Sequence, residues 1–510
     1  MATSSVSVRS TVRSRFCTVR MLAWVSVVIL VVSTVPLYAI SLYNHPYYDD
    51  YNFSANVHAV WKETRSISAV LQTAVSSAKG VRNTWQGTYT GTLLSNVQPG
   101  VFSESLYFLT TFLLLTVFLV CFGWFLKVVF RDKLGLAASE TVLLIALTLT
   151  LLVQFMPDPD EAFFWFNGGI GNTFIYSMMV LAFALGLRLE YGGGRIRQGL
   201  RMLALTALMV LLGGGSYGGG LFWTCLCMGL VLWAFVRKNG MRFVLLALFA
   251  VFLACFAYNL SAPGNAVRAG VIGFQTSPMM AVARAMYNGI AVGAGFIRLP
   301  LVAVTLLVFP FLMKAAQKST WKFSHPWLVA AAGICLYCTQ FAPPLFSGVG
   351  IGGGRIVNTY WQSFVVMWLL YAYYAAGCLV RRMKKVAAPA AHNGVRTGLV
   401  LAAVVLFAVG SLGYKLPNDT TYGLPNLAGG SAALSLLRGE AETYHREMVA
   451  REALLNDDAN PIPTLTPLSV VPDIFMKDLL AEGALYDVRP ALCEYYGKEA
   501  IRIAGEEESP

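Results

Sequence analysis

Runs of about 20 predominantly apolar residues recur eleven times along this chain. A helix rises 1.5 Å per residue, so each run is long enough to cross about 30 Å of hydrocarbon. The runs fall near 21–42, 104–126, 136–156, 169–187, 199–217, 219–236, 241–260, 289–313, 326–346, 357–380 and 397–414. Composition agrees with them: of 510 residues, 56% are hydrophobic and 13% charged, a balance foreign to soluble domains. The fold class expected is an all-α polytopic membrane protein. The glycine run from Gly213 to Gly220 leaves the fifth and sixth spans open between a tight turn and a re-entrant pair, and the downstream orientation is the same either way.

A net charge of +12 suggests a nucleic-acid partner until the charges are sorted by side. With the N-terminus inside, the cytoplasmic segments hold 22 cations, among them Arg9, Arg13, Arg15, Arg20, Lys384, Lys385 and Arg396, against only Asp132, Glu140 and Glu190. The other 16 cations and 23 acids fall outside. The excess charge is thus the positive-inside bias of a multi-pass protein of the cell membrane, and no nucleic-acid partner is expected. The first run is longer than the about 7–15 apolar residues of a secretory signal, so it reads as a retained span. Residues 1–20 are then a cytoplasmic N-terminus, 21–414 a transmembrane domain and 415–510 an extracytoplasmic C-terminal subdomain.

This orientation puts the unusual residues on one face. The first external loop, 43–103, opens with two adjacent carboxylates, Asp49 and Asp50, where a membrane anchor would carry Lys or Arg. From Ser54 to Val81, apolar residues recur at helical spacing, which predicts one or two helices lying along the membrane. Trp85 and Gly87 follow; farther on come Asp158, Asp160, Glu161, Trp165 and Asn167, then Asn265 and Arg268. Cys335 and Cys338 lie within an apolar run and read as packing residues, and the five His are too scattered to form a metal cluster.

In layout and in these patches the chain resembles the GT-C glycosyltransferases, multi-pass enzymes that use polyprenyl-phosphate sugar donors. It looks most like bacterial members near the O-antigen glucosyltransferases. The patches carrying the likeness are Asp49-Asp50-Tyr51, Trp85-x-Gly87, Glu161 to Gly168, and Ala262 to Arg268. The resemblance implies a GT-C-like bundle of about eleven helices, a catalytic aspartate in the first loop, a polyprenyl-phosphate sugar donor, and a cell-envelope glycan or lipid acceptor.

The residues support that chemistry without the name. Transfer from a lipid phosphate to a hydroxyl needs a base, for which Asp50 or Asp49 is placed, Asp50 being favoured. It also needs stabilisation of the departing phosphate by an Arg or by a divalent cation such as Mg or Mn. Arg268, Arg284, Arg298 and Arg355 stand at external span ends. Glu161, Trp165, Asn167, Trp85 and Asn265 supply carboxylate, aromatic and amide groups for a sugar. The plainer readings are that the aspartates cap the helix near Ser54 and that Asn265 and Arg268 finish a turn set by Pro263 and Gly264. A transporter or flippase of a lipid-linked sugar, or a non-catalytic envelope assembly protein, would use the same face. The glycine run before Arg355 is not a nucleotide loop, since no Lys-Ser/Thr follows it. In the acidic tail the pattern predicts a helix over Ser431–Leu455, an extended run from Thr464 and a short helix from Asp473 to Leu480, making a minor α/β unit.

Overall fold

The computed structural model describes residues 18–189, 194–383, 393–416, 421–481, 484 and 486–505. Arg9, Arg13, Arg15, Cys17, Glu190, Lys384 and Lys385 lie outside the described residues. The chain is 76% helical with almost no sheet, an all-α polytopic fold.

Helix α1 (Val19–Ser41) is the first apolar run, and three less apolar helices follow it: α2 (Asp49–Thr64), α3 (Ile67–Thr84) and α4 (Tyr89–Ser95). The chain then runs through α5 (Leu109–Lys127), α6 (Ala138–Gln154), a single turn α7 (Phe166–Gly169), α8 (Ile175–Leu189), α9 (Arg195–Gly213), α10 (Tyr217–Val236) and α11 (Arg242–Leu260). Next come α12 (Pro263–Ile272), α13 (Pro278–Gly295), α14 (Leu299–Lys318), α15 (Pro326–Cys338), α16 (Ala342–Phe346), α17 (Gly354–Arg382) and α18 (Asn393–Leu412). The last part holds α19 (Ala428–Leu437), α20 (Glu440–Leu455) and α21 (Arg489–Tyr496). Among the described residues, nine helical stretches are long and apolar enough to cross a membrane. The expected spans at 136–156 and 397–414 are apolar helices too, but shorter.

Several boundaries differ from expectation for identifiable reasons. The run at 289–313 is two helices, α13 and α14, because Pro300 in the first turn of α14 has no N–H to continue a helix from before it. The helix expected from near Ser54 begins at Asp49, so both carboxylates sit in its first turn, where the helix dipole favours negative charge. It stops at Arg65, whose φ of 51° is left-handed, and Ser66 then caps α3 by accepting from the Ala69 amide at 3.4 Å. The helix expected over 431–455 is broken at Gly439, φ 73°, which lets α19 and α20 diverge. No helix forms over Asp473–Leu480. There the Asp478 carboxylate accepts from the Leu468 and Leu480 amides and from Arg451, which holds the backbone in an irregular path. The extended run at Thr464 pairs for two residues only, Thr464–Leu465 (β1) lying parallel to Arg502–Ile503 (β2).

The core is aromatic and continuous. Phe118, Phe122, Phe163 and Phe164 are fully buried between α5 and its neighbours, and the same cluster extends to Tyr444 of α20 and to Phe475. Helix α19 lies directly on α1: a Cβ on Gly429 would stand 1.9 Å from the Ser33 carbonyl oxygen. Gln154 clamps this crossing, donating to Ser33 O at 3.0 Å and accepting from the Gly429 amide at 2.8 Å. A second cluster packs Tyr51 and Ala55 of α2 against Leu492, Tyr495 and Tyr496 of α21.

Gly429→Ala should therefore force α19 off α1 and lower unfolding stability by about 1–3 kcal/mol, the usual cost of overpacking. Thermal unfolding of the detergent-solubilised protein checks this; an unchanged melting temperature would mean that the helices are not in contact.

Candidate functional site

The site grows from the first turn of α2. Asp50 is fully buried, and each carboxylate oxygen has donors. Oδ2 accepts from the Tyr107 hydroxyl at 2.5 Å and from the Tyr47 amide at 3.1 Å, while Oδ1 accepts from the Asn167 amide at 3.0 Å. Burial outweighs these bonds and pushes the Asp50 carboxyl up to about 7.

Asp49 points the other way and is only half-buried. Its Oδ2 accepts from Asn167 Nδ2 at 3.0 Å, and Asn167 Oδ1 accepts from the Ser95 hydroxyl of α4 at 2.6 Å. Asn167 thus holds both aspartates, one through its backbone and one through its side chain. Burial raises the Asp49 carboxyl, and the positive charges of Arg355 and Arg268, with the Asn167 bond, oppose the rise.

Asn167 can reach both because the chain around it is not regular helix. Asp160–Phe164 and Ile170–Phe174 are π-helical turns on either side of it, with the Trp165 amide donating to Asp160 O at 3.0 Å. The first of these turns carries Glu161 to the start of α17. There Glu161 Oε2 accepts from the Arg355 amide at 2.9 Å and lies 4.0 Å from Arg355 Nε. The glycine run before Arg355 explains itself at this contact: a Cβ on Gly354 would fall 1.6 Å from Asp158 Oδ2. The bare backbone lets two carboxylates approach a helix N-terminus. Burial, with Asp158 alongside, drives the Asp160 carboxyl well above its usual range, and burial raises Glu161 despite Arg355.

The Arg355 guanidinium lies over the Trp165 ring, 4.7 Å from its centroid, and Tyr47 packs edge-on against the same ring at 5.5 Å. Arg355 Nη1 and Trp165 Nε1 are buried donors with no hydrogen-bond partner. Such donors are costly unless something accepts from them.

Two further sequence patches meet beside this group. A Cβ on Gly87 would lie 1.9 Å from the Asn259 carbonyl oxygen, and one on Gly264 would lie 2.4 Å from the Trp85 nitrogen, so the Trp-x-Gly turn and the start of α12 are in backbone contact. Arg268 donates to Gln86 Oε1 at 2.8 Å and stands 5.4 Å from the centre of the Trp85 ring. Asn265 is spent on the joint itself: Oδ1 accepts from Tyr217 at 2.5 Å and from the Gly87 amide at 3.1 Å, and Nδ2 donates to two carbonyls of the α11 end.

Asp49 and Asp50 are therefore joined through Asn167, and Glu161 and Trp165 through Arg355, with Tyr47 linking the two sets by its amide to Asp50 and its ring to Trp165; Arg268 lies within electrostatic reach of Asp49 and Arg355. Arg284 is exposed, and Arg298 binds the carbonyls of Gly295 and Lys415, so neither joins the group. His45, although next to the aspartates in sequence, faces His445 at 2.8 Å. Among the described residues no group of three or more His, Cys, Asp and Glu is arranged to hold a metal ion. Tyr107, Tyr47 and Ser95 complete the site without a signal in the sequence; Tyr107 is 57 positions from the carboxylate it binds. No family model, curated protein or solved structure matches the chain.

The Asp50 environment makes a pH-dependent contribution with a defined sign. An unfolded Asp titrates near about 3.9, below the folded value. Folding therefore favours its neutral form, and that contribution is whole below pH about 4 and lost as pH rises through about 7. Asp50→Asn, uncharged throughout, should flatten the fall of melting temperature with pH across this window. A variant retaining the full wild-type slope would assign the titration to other groups.

Proposed function

We propose that this chain is an integral membrane glycosyltransferase of GT-C type. It moves a sugar from a polyprenyl-phosphate donor to a cell-envelope glycan or lipid acceptor. In this reading all eleven apolar helices cross the cell membrane, the N-terminus is cytoplasmic, and the site and C-terminal segment lie on the outer face.

The observation that carries the reading is the half-buried Asp49 carboxylate within electrostatic reach of two arginines, one of which has an unpartnered Nη1. Asp49 is the base, because Asp50 has no surface for a substrate and both its oxygens accept from protein donors. Asp50 and Asn167 are positioning residues. Asp49 takes the proton of the acceptor hydroxyl as its oxygen bonds to the anomeric carbon. The carbon–oxygen bond to the donor phosphate breaks, and the phosphate leaves with the bonding electrons. Arg355 and Arg268 receive the charge that builds on that phosphate. Trp85, partly exposed, offers an aromatic face to the sugar or to its lipid, while the buried Trp165 ring holds the Arg355 guanidinium.

Asp49→Asn should lose about 10²–10⁴-fold in transfer, the usual worth of a general base, without a change in melting temperature. Arg355→Gln should raise the KM for the lipid donor more than about tenfold, as loss of a charge-assisted contact would. Proteoliposomes given labelled polyprenyl-phosphate hexoses and envelope acceptors provide the assay. Full activity of Asp49→Asn would remove the proposed mechanism. Movement of the donor across the bilayer without product would replace it with a lipid-linked-sugar transporter, and neither outcome would leave an envelope assembly protein.

A further inference from the structure

The opposite side of the α2 start faces a separate cavity, between the first loop and the C-terminal segment. It is a cleft of about 60 Å³ that is partly open to solvent. Five tyrosines line it: Tyr47, Tyr48 and Tyr51 from the first loop, Tyr444 from α20 and Tyr496 from α21. Three carboxylates, Glu104, Glu452 and Asp478, also face it.

Neither Glu104 nor Glu452 has a cationic partner in this cavity. Arg451 is committed to Asp478, at 2.7 Å between Nη2 and Oδ2, and to the Thr466 carbonyl. Lys477 is largely exposed and pairs with Asp473. Among the described residues no Lys or Arg lies within ion-pair distance of Glu104 or Glu452. Glu104 is 6% exposed, and its Oε1 has no hydrogen-bond partner; the buried Tyr496 hydroxyl has none either. Histidine supplies no cation either. His45 Nδ1 lies 3.5 Å from Glu104 Oε2, but burial keeps this imidazole neutral, holding it down at about 4. Burial and the nearby Glu104 carboxylate push Glu452 up to about 7.

We infer that this cavity is a binding site for an organic ammonium group, with Glu104 and Glu452 as its counter-charges and the tyrosine rings as its walls. A cation held between carboxylates and aromatic faces gains from both, and supplies the donors that Glu104 Oε1 lacks. The cavity shares Tyr47 with the proposed transfer site, but Asp49, Glu161, Arg268 and Arg355 do not line it. The ammonium belongs to an amino sugar or to an aminoalcohol head group, which share this chemistry.

Calorimetric titration of the full-length protein in detergent distinguishes these, using glucosamine, its neutral counterpart N-acetylglucosamine, and phosphoethanolamine. The expected result is binding of at least one amine probe at least about tenfold tighter than N-acetylglucosamine. Tighter glucosamine identifies an amino sugar, and tighter phosphoethanolamine a head group. Glu104→Gln should weaken the preferred probe by about tenfold or more. Glu452→Gln, at a half-buried position that tolerates change better, should do the same if Glu104→Gln fails to fold. Affinity for both amines no greater than for N-acetylglucosamine, or full binding by folded Glu452→Gln, would each overturn the inference.

Discussion

The buried Asp50 carboxylate organises this end of the molecule. Its donors come from three separate stretches: the loop after α1 through Tyr47, the start of α5 through Tyr107, and the irregular turn between α6 and α8 through Asn167. A fully buried carboxylate is tolerated only when several donors surround it, so each of these segments is fixed relative to the others by the same requirement. The Tyr107 hydroxyl extends the link, since it also accepts from the Phe166 amide at 3.0 Å. Asp49 inherits its position from this arrangement, being the next residue on the same helical turn.

Much of this was legible in the chain. Apolar length alone located the helices, because backbone groups in hydrocarbon must pair internally and leave few alternatives. The four short patches chosen for their residue types meet in two pairs, Asp49–Tyr51 with Glu161–Gly168 and Trp85–Gly87 with Ala262–Arg268, and the glycines of the second pair have a common reason: at Gly87 and Gly264 one backbone lies directly against another. What could not be read was partner identity. The glycine run at 352–354 looked empty of purpose because its meaning depends on Asp158, about two hundred residues earlier. The choice between Asp49 and Asp50 was likewise invisible, since adjacent residues on a helix point about 100° apart and only packing decides which one is enclosed. The break at Pro300 was present as a residue but was outweighed by the hydrophobic run on either side.

The two tryptophan–arginine contacts show how a site near a membrane keeps cations available. Arg355 and Arg268 each lie over an indole, which holds the guanidinium by its face and leaves N–H groups at its edge. Glu161 anchors Arg355 mainly through the backbone amide, the Nε contact being long at 4.0 Å, so its charge is not consumed by a tight bidentate pair. Carboxylates gathered at the start of α17 act on the helix end rather than on the side chain.

The contact between His45 and His445 joins positions 400 residues apart. Together with the seating of Gly429 on Ser33, it ties the last stretch of chain to the first helix. During synthesis, the loop bearing both aspartates therefore emerges long before the segment that encloses its far side. Until α21 has been made, Tyr51 and the other groups behind α2 stand uncovered, so this end of the molecule is assembled by the late C-terminal segment and not by the N-terminal half.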